Sequence, residues 1–321
     1  MLKPNKILIS RTDSIGDVIL TLPMAGILKK RFPNVSIVFL GKNYTKSIIE
    51  TSEHIDEFLS LDDLNKLNPK EQIQFIRNKN ISHCIHVFPK KEIAQLMKKS
   101  GVQLRIGTTN RAYHWLTCNK LIKLSRKNSD LHEAQLNCKL LSAVGINEEF
   151  SLVDLAAAYG FTKHLALPQK HKELLSKDKK NIIIHAKSQG NAVEWGLENF
   201  SKLISKIDKE KFQVFISGTL AEGQLLQPLI KNNPDAVDLT GKLSLSEFIS
   251  FINEADILIA ASTGPLHICA ALGKKAIGLF LDKRPIHPGR WAPIGKDTHV
   301  VLMNNDSERE LQQILNLTQA Q

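Results

Sequence analysis

At 321 residues the chain can hold two domains of ordinary size, and its 42% hydrophobic and 23% charged content is that of a globular protein. No apolar run approaches the ~20 residues of a spanning helix, which excludes a helical membrane span. Net charge is +11 and unevenly placed: residues 1–150 hold 23 Lys and Arg against 14 Asp and Glu, and residues 151–321 hold 20 against 18. A basic N-terminal half points to an acidic partner, either nucleic acid or an anionic lipid head group, or is a solvated basic surface.

In chain order, Lys6–Ser10 reads as a strand and Arg11–Asp17 as a turn. A helical pattern begins near Asp17 with Val18, Ile19 and Leu22, and Pro23 kinks or restarts it. Val35–Leu40 is a strand, Ile48–Ile55 a short helix, Glu57–Leu61 a strand and Gln72–Arg77 a helix. Cys84–Phe88 is a buried strand, and helix Ile93–Lys99 leads through Gly101 to strand Leu104–Ile106. This alternation predicts a parallel, doubly wound sheet. Residues 108–130 read as irregular and basic, and Leu131–Val144 as a helix stopped by Gly145.

Leu165–Lys180 is polar and Lys-rich, a helix-bearing linker. The expected division is therefore 1–164, linker 165–180, and 181–321. A second α/β pattern runs through strand Asn181–His185, helix Leu197–Ile207, strand Gln213–Ser217, and helices Gly223–Lys231 and Ser246–Glu254. Strand Lys275–Leu279 and an exposed amphipathic helix near Ser307–Leu317 complete it. The four cysteines, Cys84, Cys118, Cys138 and Cys269, form no C-x-x-C pair. With no signal-peptide core in MLKPNKILIS, they read as reduced thiols of a cytoplasmic protein.

The most informative stretch is Ala255–Gly273, ADILIAASTGPLHICAALG. An apolar strand, Ile257–Ala261, breaks at Ser262-Thr263-Gly264, and Pro265 opens a helix that ends at Gly273. Such a turn aims unpaired N–H groups and a helix dipole at an anion. Gly264 permits close approach of a phosphate, Thr263 offers a hydroxyl, and His267 points from the first turn. An ordinary strand–turn–helix with a capping Thr is the plainer alternative.

Three further groups stand at strand ends. Asp17 after the first strand suits a general base facing an interdomain cleft, or closes its helix in a variant capping box with Ser14. His185-Ala186-Lys187-Ser188-Gln189-Gly190 suits a diphosphate, or is a solvated loop. Ser217-Gly218-Thr219 with Glu222 suits a ribose, or Glu222 is a first-turn helix acid. No P-loop, G-x-G-x-x-G, G-x-S-x-G or zincin motif is present, and no metal ligand set is expected.

Together these motifs resemble glycosyltransferase family 9, the ADP-heptose:lipopolysaccharide heptosyltransferases. R-x-D-S-I-G-D at Arg11–Asp17, S-T-G-P-x-H at Ser262–His267 and R-W-x-P at Arg290–Pro293 carry the likeness, which covers nearly the whole chain. The resemblance implies a GT-B fold, two Rossmann-like doubly wound domains facing a cleft, with acceptor on the first and nucleotide sugar on the second. It implies an inverting, metal-independent transferase without a cofactor, with Asp17 as base. The donor would be ADP-L-glycero-D-manno-heptose, bound by Lys187, Ser188, Glu222, Ser262, Thr263, Gly264 and His267.

The acceptor implied is a Kdo residue of the lipid A–Kdo inner core, met by Asp13, Ser14, Gly16, Arg111, Lys120 and Lys123. That places the protein peripherally at the cytoplasmic face of the inner membrane. Two departures mark a divergent branch: Ser262 stands where the family has Asp, and Glu194 precedes Trp195 where a basic residue is usual. The contrasting classes are a GT-B transferase of another nucleotide sugar and a non-catalytic nucleotide- or nucleic-acid-binding module. Aromatics at 6%, not interleaved with the basic stretches, weigh against a single-strand nucleic-acid binder.

Overall fold

The computed structural model describes residues 4–127, 129–188, 190 and 192–320. The chain divides into two compact units, Met1–Lys163 and His164–Gln321.

In the first unit, β1 (Lys6–Ser10), β2 (Ser36–Gly41), β3 (Glu57–Ser60), β4 (His83–His86), β5 (Leu104–Thr108) and β6 (Lys120–Ile122) form one sheet. Its order is β3-β2-β1-β4-β5-β6, and every pairing is parallel. In the second, β7 (Lys180–His185), β8 (Phe212–Ile216), β9 (Val237–Asp238), β10 (Ile257–Ala261), β11 (Lys275–Phe280) and β12 (Thr298–Leu302) run in the order β12-β11-β10-β7-β8-β9, again all parallel. Read from each unit's own first strand, both sheets have the doubly wound order 3-2-1-4-5-6.

Central strands covered on both faces must be apolar throughout, which the alternating residues of an edge strand need not be. Ile7, Leu8 and Ile9 of β1 and Leu258, Ile259 and Ala260 of β10 are accordingly sealed from solvent. Order reverses between β1 and β4 in one unit and between β7 and β10 in the other. The carboxyl ends of these strands flank the crevice where open α/β sheets take ligands. Gly145 and Gly273 end their helices at φ 85° and 73°, the left-handed region that a side chain disfavours.

Four expectations are corrected. Residues 108–130 are irregular only in part: helix Ala112–Thr117 and β6 interrupt them, and the Thr108 amide donates to the buried His114 Nδ1 at 2.9 Å to pin that helix to β5. The expected helix Leu131–Val144 is an α-helix only over Glu133–Cys138, then tightens to a 3-10 helix over Lys139–Val144. The terminal helix, Ser307–Gln319, is not exposed. Leu311, Ile314 and Leu315 enter the core beside Trp195, whose indole donates to buried Glu310 at 2.6 Å. Strand β12 was not expected, because its Thr298 and His299 leave it only partly apolar.

Residues 165–180 pack with the second unit: Ser250 Oγ donates to the Leu165 carbonyl at 2.7 Å, and the Ser176 amide to Asn181 Oδ1 at 2.9 Å. All four cysteines are buried free thiols. Among the described residues no helix is long and apolar enough to cross a membrane.

Candidate active site

The turn after β1 is built around a buried cation. Arg11 is 3% exposed, and its guanidinium donates Nε to Asp13 at 2.7 Å, Nη2 to Asp17 Oδ1 and Nη1 to Glu133 Oε1 at 3.2 Å. Arg126 donates to the same Glu133 oxygen at 2.9 Å and to Asn137 Oδ1 at 2.7 Å. Two guanidiniums therefore meet three carboxylates. Burial alone would lower the Arg11 pKa, but Asp17, Asp13 and Glu133 outweigh it and hold the charge firmly on. Asp13 is pushed up to about 6, first by burial and then by Asp17, against the pull of Arg11.

Asp17 is not a helix cap. Ser14 is the N-cap of helix Ile15–Ile19 but makes no side-chain capping bond; its hydroxyl donates to Asp17 Oδ2 instead. Each Asp17 oxygen is thus oriented by one donor, Arg11 or Ser14, as a positioned base requires. The Thr21 hydroxyl donates to the Asp17 carbonyl at 2.8 Å, and Asn137 Nδ2 donates to Thr21 Oγ1 at 3.2 Å, tying this helix to Glu133–Cys138. Gly16 lies in the same short helix, and Tyr44 donates to the Asp13 carbonyl. Asp13, Ser14, Gly16 and Asp17 are therefore one constellation.

The basic candidates are spread more widely. Arg111 follows β5 and Lys123 follows β6, so both lie at the carboxyl edge with Asp17, though β6 is three strand spacings, about 14 Å, from β1. Lys120 opens β6 and sits at its other end. Arg126 is no surface charge; it belongs to the Glu133 network.

In the second unit the three expected groups fall on adjacent strands, β10, β7 and β8, at the carboxyl edge. His185 Nδ1 and Ser217 Oγ, 3.0 Å apart, join the ends of β7 and β8. Burial lowers the His185 pKa against the pull of Glu222 and Glu194, so the buried ring favours its neutral form. Thr263 is the N-cap of helix Gly264–Ala271, yet it makes no capping bond, and its buried Oγ1 has no partner among the described residues. A sealed hydroxyl at a helix N-terminus, beside first-turn N–H groups that no carbonyl of the helix satisfies, suits an anionic oxygen. Ser262 and Gly264 are half-buried beside it, and His267 is 3% exposed within the helix.

Glu222 does take the helix role weighed for it. Its Oε2 accepts from the Thr219 amide at 2.7 Å in a capping box, while Oε1 makes no hydrogen bond among the described residues. Lys187 and Ser188 follow β7, and both bond to Glu194. Gln189 lies outside the described residues. In the R-W-x-P element, Trp291 donates to the Pro285 carbonyl at 2.9 Å and Arg290 lies over the Trp291 ring at 5.0 Å.

Glu133, Asn137 and Arg126 are members of the first constellation that motif reading missed. The available signal was an acid and an amide, Glu133 and Asn137, one helical turn apart on an otherwise apolar helix face.

Residues 87–318 match the family model described as glycosyltransferase family 9 (heptosyltransferase). A Haemophilus influenzae protein provisionally named a glycosyltransferase is 28% identical over 307 residues, 92% of this chain and 88% of that one. Lipopolysaccharide heptosyltransferase 1 of Campylobacter coli is 24% identical over 294 residues, 86% of this chain and 83% of that one. The structure of E. coli ADP-heptose lipopolysaccharide heptosyltransferase II shares the fold at a TM-score of 0.75 and 14% identity, over 98% of each chain. With a family model spanning most of its length and two doubly wound sheets of the GT-B type, this chain belongs to glycosyltransferase family 9 and is a glycosyltransferase.

Proposed function

We propose that the enzyme transfers a heptose from ADP-L-glycero-D-manno-heptose to a Kdo residue of the lipid A–Kdo inner core, with inversion at the anomeric carbon. The named activities of the Campylobacter and E. coli relatives support this reading. One observation carries it: the ends of β10, β7 and β8 gather an unpartnered hydroxyl at a helix N-terminus, a lysine and a carboxylate with a free oxygen. Those groups match the parts of a nucleoside diphosphate. In this reading the second unit binds the donor and the first unit binds the acceptor.

The reaction balances simply. Asp17 takes the proton of the acceptor hydroxyl as its oxygen bonds to the anomeric carbon. The bond from that carbon to the β-phosphate oxygen breaks, and ADP leaves with the electron pair. Lys187, Thr263 and the first turn of helix Gly264–Ala271 meet the charge that develops on the leaving diphosphate. Arg11 and Ser14 hold the carboxylate in line.

The basic first unit suits a polyanionic acceptor, including a phosphorylated Kdo, at the cytoplasmic face of the inner membrane. Trp115 and Leu116, 63% and 75% exposed, add an apolar pair beside Lys98, whose ammonium donates to the Leu116 carbonyl. Cations around exposed apolar side chains suit peripheral contact with an anionic bilayer. A second reading, another nucleotide sugar, is favoured by Ser262 and Glu194 at positions where the family resemblance expects an acid and a base.

Mass spectrometry of the full chain with ADP-heptose and lipid A–Kdo tests the first reading. ADP release with a heptosylated acceptor is expected. Turnover only with a different nucleotide sugar selects the second reading, and no turnover with any donor overturns both.

A further inference from the structure

The anion seat after β7 is occupied by the protein's own carboxylate. Lys187 Nζ donates to Glu194 Oε2 at 2.5 Å, the Ser188 amide to Oε1 at 2.8 Å, and the Ser188 hydroxyl reaches the same oxygen at 3.3 Å. An ammonium, a backbone N–H and a hydroxyl converging on one anion make the donor set that holds a phosphate. The Ser188 hydroxyl also lies 2.9 Å from the Ala192 carbonyl, so both ends of the loop frame the seat.

Glu194 competes for that seat as an ion. Burial pushes its pKa up, but the bonds from Lys187 and Ser188 outweigh burial and hold it below the ordinary carboxylate range. Its backbone is anchored, because the next residue, Trp195, is buried and bonded to Glu310 at 2.6 Å. Its side chain is 27% exposed, and rotation about its own torsions swings the carboxylate to water without moving the backbone.

We propose that Glu194 is a resident anion in the phosphate seat, so that a diphosphate binds by exchange with this carboxylate. The inference rests on the donor reading above and adds a specificity device to it. Exchange taxes every phosphate ligand equally at Lys187. A diphosphate, with a second phosphate to reach the Thr263 turn, overcomes the tax better than a monophosphate does. Departure from the basic residue usual before Trp195 thereby acquires a physical role: the chain carries its own competitor where the family carries a further cation.

Calorimetry on the full chain tests this with three probes, ADP, inorganic pyrophosphate and adenosine. Glu194→Gln is expected to bind ADP and pyrophosphate ~10-fold more tightly, the effect of removing one competing charge, and adenosine as before. In a Lys187→Met background the Glu194→Gln gain should vanish, because Lys187 is what both anions contest. Glu194→Ala guards against a glutamine that keeps the Lys187 bond, and circular dichroism melts confirm that each variant is folded. Unchanged or weaker ADP and pyrophosphate binding in both Glu194 variants overturns the exchange. Tighter pyrophosphate binding with no ADP preference over pyrophosphate supports the exchange and sinks the nucleotide reading. Binding of neither ADP nor pyrophosphate to any folded variant overturns both.

Discussion

Arg11 and Glu133 lie 122 residues apart in sequence and meet at 3.2 Å, with side chains only 4% and 1% exposed. This pair staples the turn after β1 to helix Glu133–Cys138, and Arg126 closes it from the other side at 2.9 Å. Removing Glu133 takes one of three anions from Arg11, which keeps Asp13 and Asp17, and one from the partly exposed Arg126. The loss is that of a buried charged hydrogen-bond partner, ~1–3 kcal/mol. Glu133→Ala is expected to lose about that much in urea denaturation, since two guanidiniums lose their shared anion. Glu133→Gln keeps the shape and an acceptor oxygen and should lose less. Equal stability of Glu133→Ala and the parent would show that the cluster contributes nothing to the fold.

Asp17→Asn is expected to fold normally and to cut turnover by ~10²–10⁴-fold. The geometry makes the substitution clean. An amide at position 17 can turn its oxygen to Arg11 and its NH2 to the Ser14 hydroxyl, which then accepts, so neither donor is orphaned. Donor affinity should hold, because Asp17 lies in the first unit and the groups proposed to bind the donor lie in the second. A drop in melting temperature with only a matching loss of activity would make Asp17 a positioning residue.

Much of this was legible in the sequence, and the parts that were not share a cause. The β1 and β10 strands declare themselves as unbroken apolar runs, and the turns after them by Gly16, Gly264 and Pro265. Those are local signals. The Arg11–Glu133–Arg126 network is a contact across 122 residues, and no spacing encodes it. Lys187 reads as a free phosphate ligand until the loop folds and Glu194 captures it seven residues on. Helix Ala112–Thr117 hid for another reason: it is six residues long, carries no side-chain cap, and turns Trp115 and Leu116 outward.

Asp13 makes the stability of the protein depend on pH in an unusual direction. Its folded pKa is raised to about 6 from an ordinary 3.8, so the folded state holds a proton that the unfolded chain releases. Stability from this group is therefore complete below about pH 4 and lost as pH rises through about 6. Against Asp13→Asn, the parent should lose on the order of 1–3 kcal/mol across that window, because the variant has no group there to titrate. Parallel stability curves for parent and variant from pH 4 to 7 would contradict the shift.

Glu222 can be asked whether its free oxygen does more than its capped one. Gln is competent at the third position of a capping box, so Glu222→Gln should leave the melting temperature nearly unchanged. If Oε1 accepts from a ribose hydroxyl, ADP affinity should fall ~10-fold, the loss expected of one charge-assisted hydrogen bond. Turnover at saturating donor should move less, since a ribose contact is made equally in ground and transition states. Unchanged ADP affinity by calorimetry would leave Glu222 as a helix cap alone.

Recognition of the acceptor is tested through the basic edge of the first unit, and the fold decides which charges to remove. Lys120 sits at the far end of β6, and Arg126 supports the buried cluster, so neutralising either confounds the result. Arg111, Lys123 and Lys127 are exposed and, among the described residues, have no acidic partner. Each cation near a polyanionic lipid adds ~1 kcal/mol of attraction, lost within a Debye length as salt rises. Replacing the three together with Ala should raise the acceptor KM and flatten its dependence on ionic strength. Donor KM should hardly move, because the groups proposed to bind the donor belong to the other unit. Equal shifts in both KM values, or a salt dependence identical to the parent's, would reduce these residues to a solvated surface.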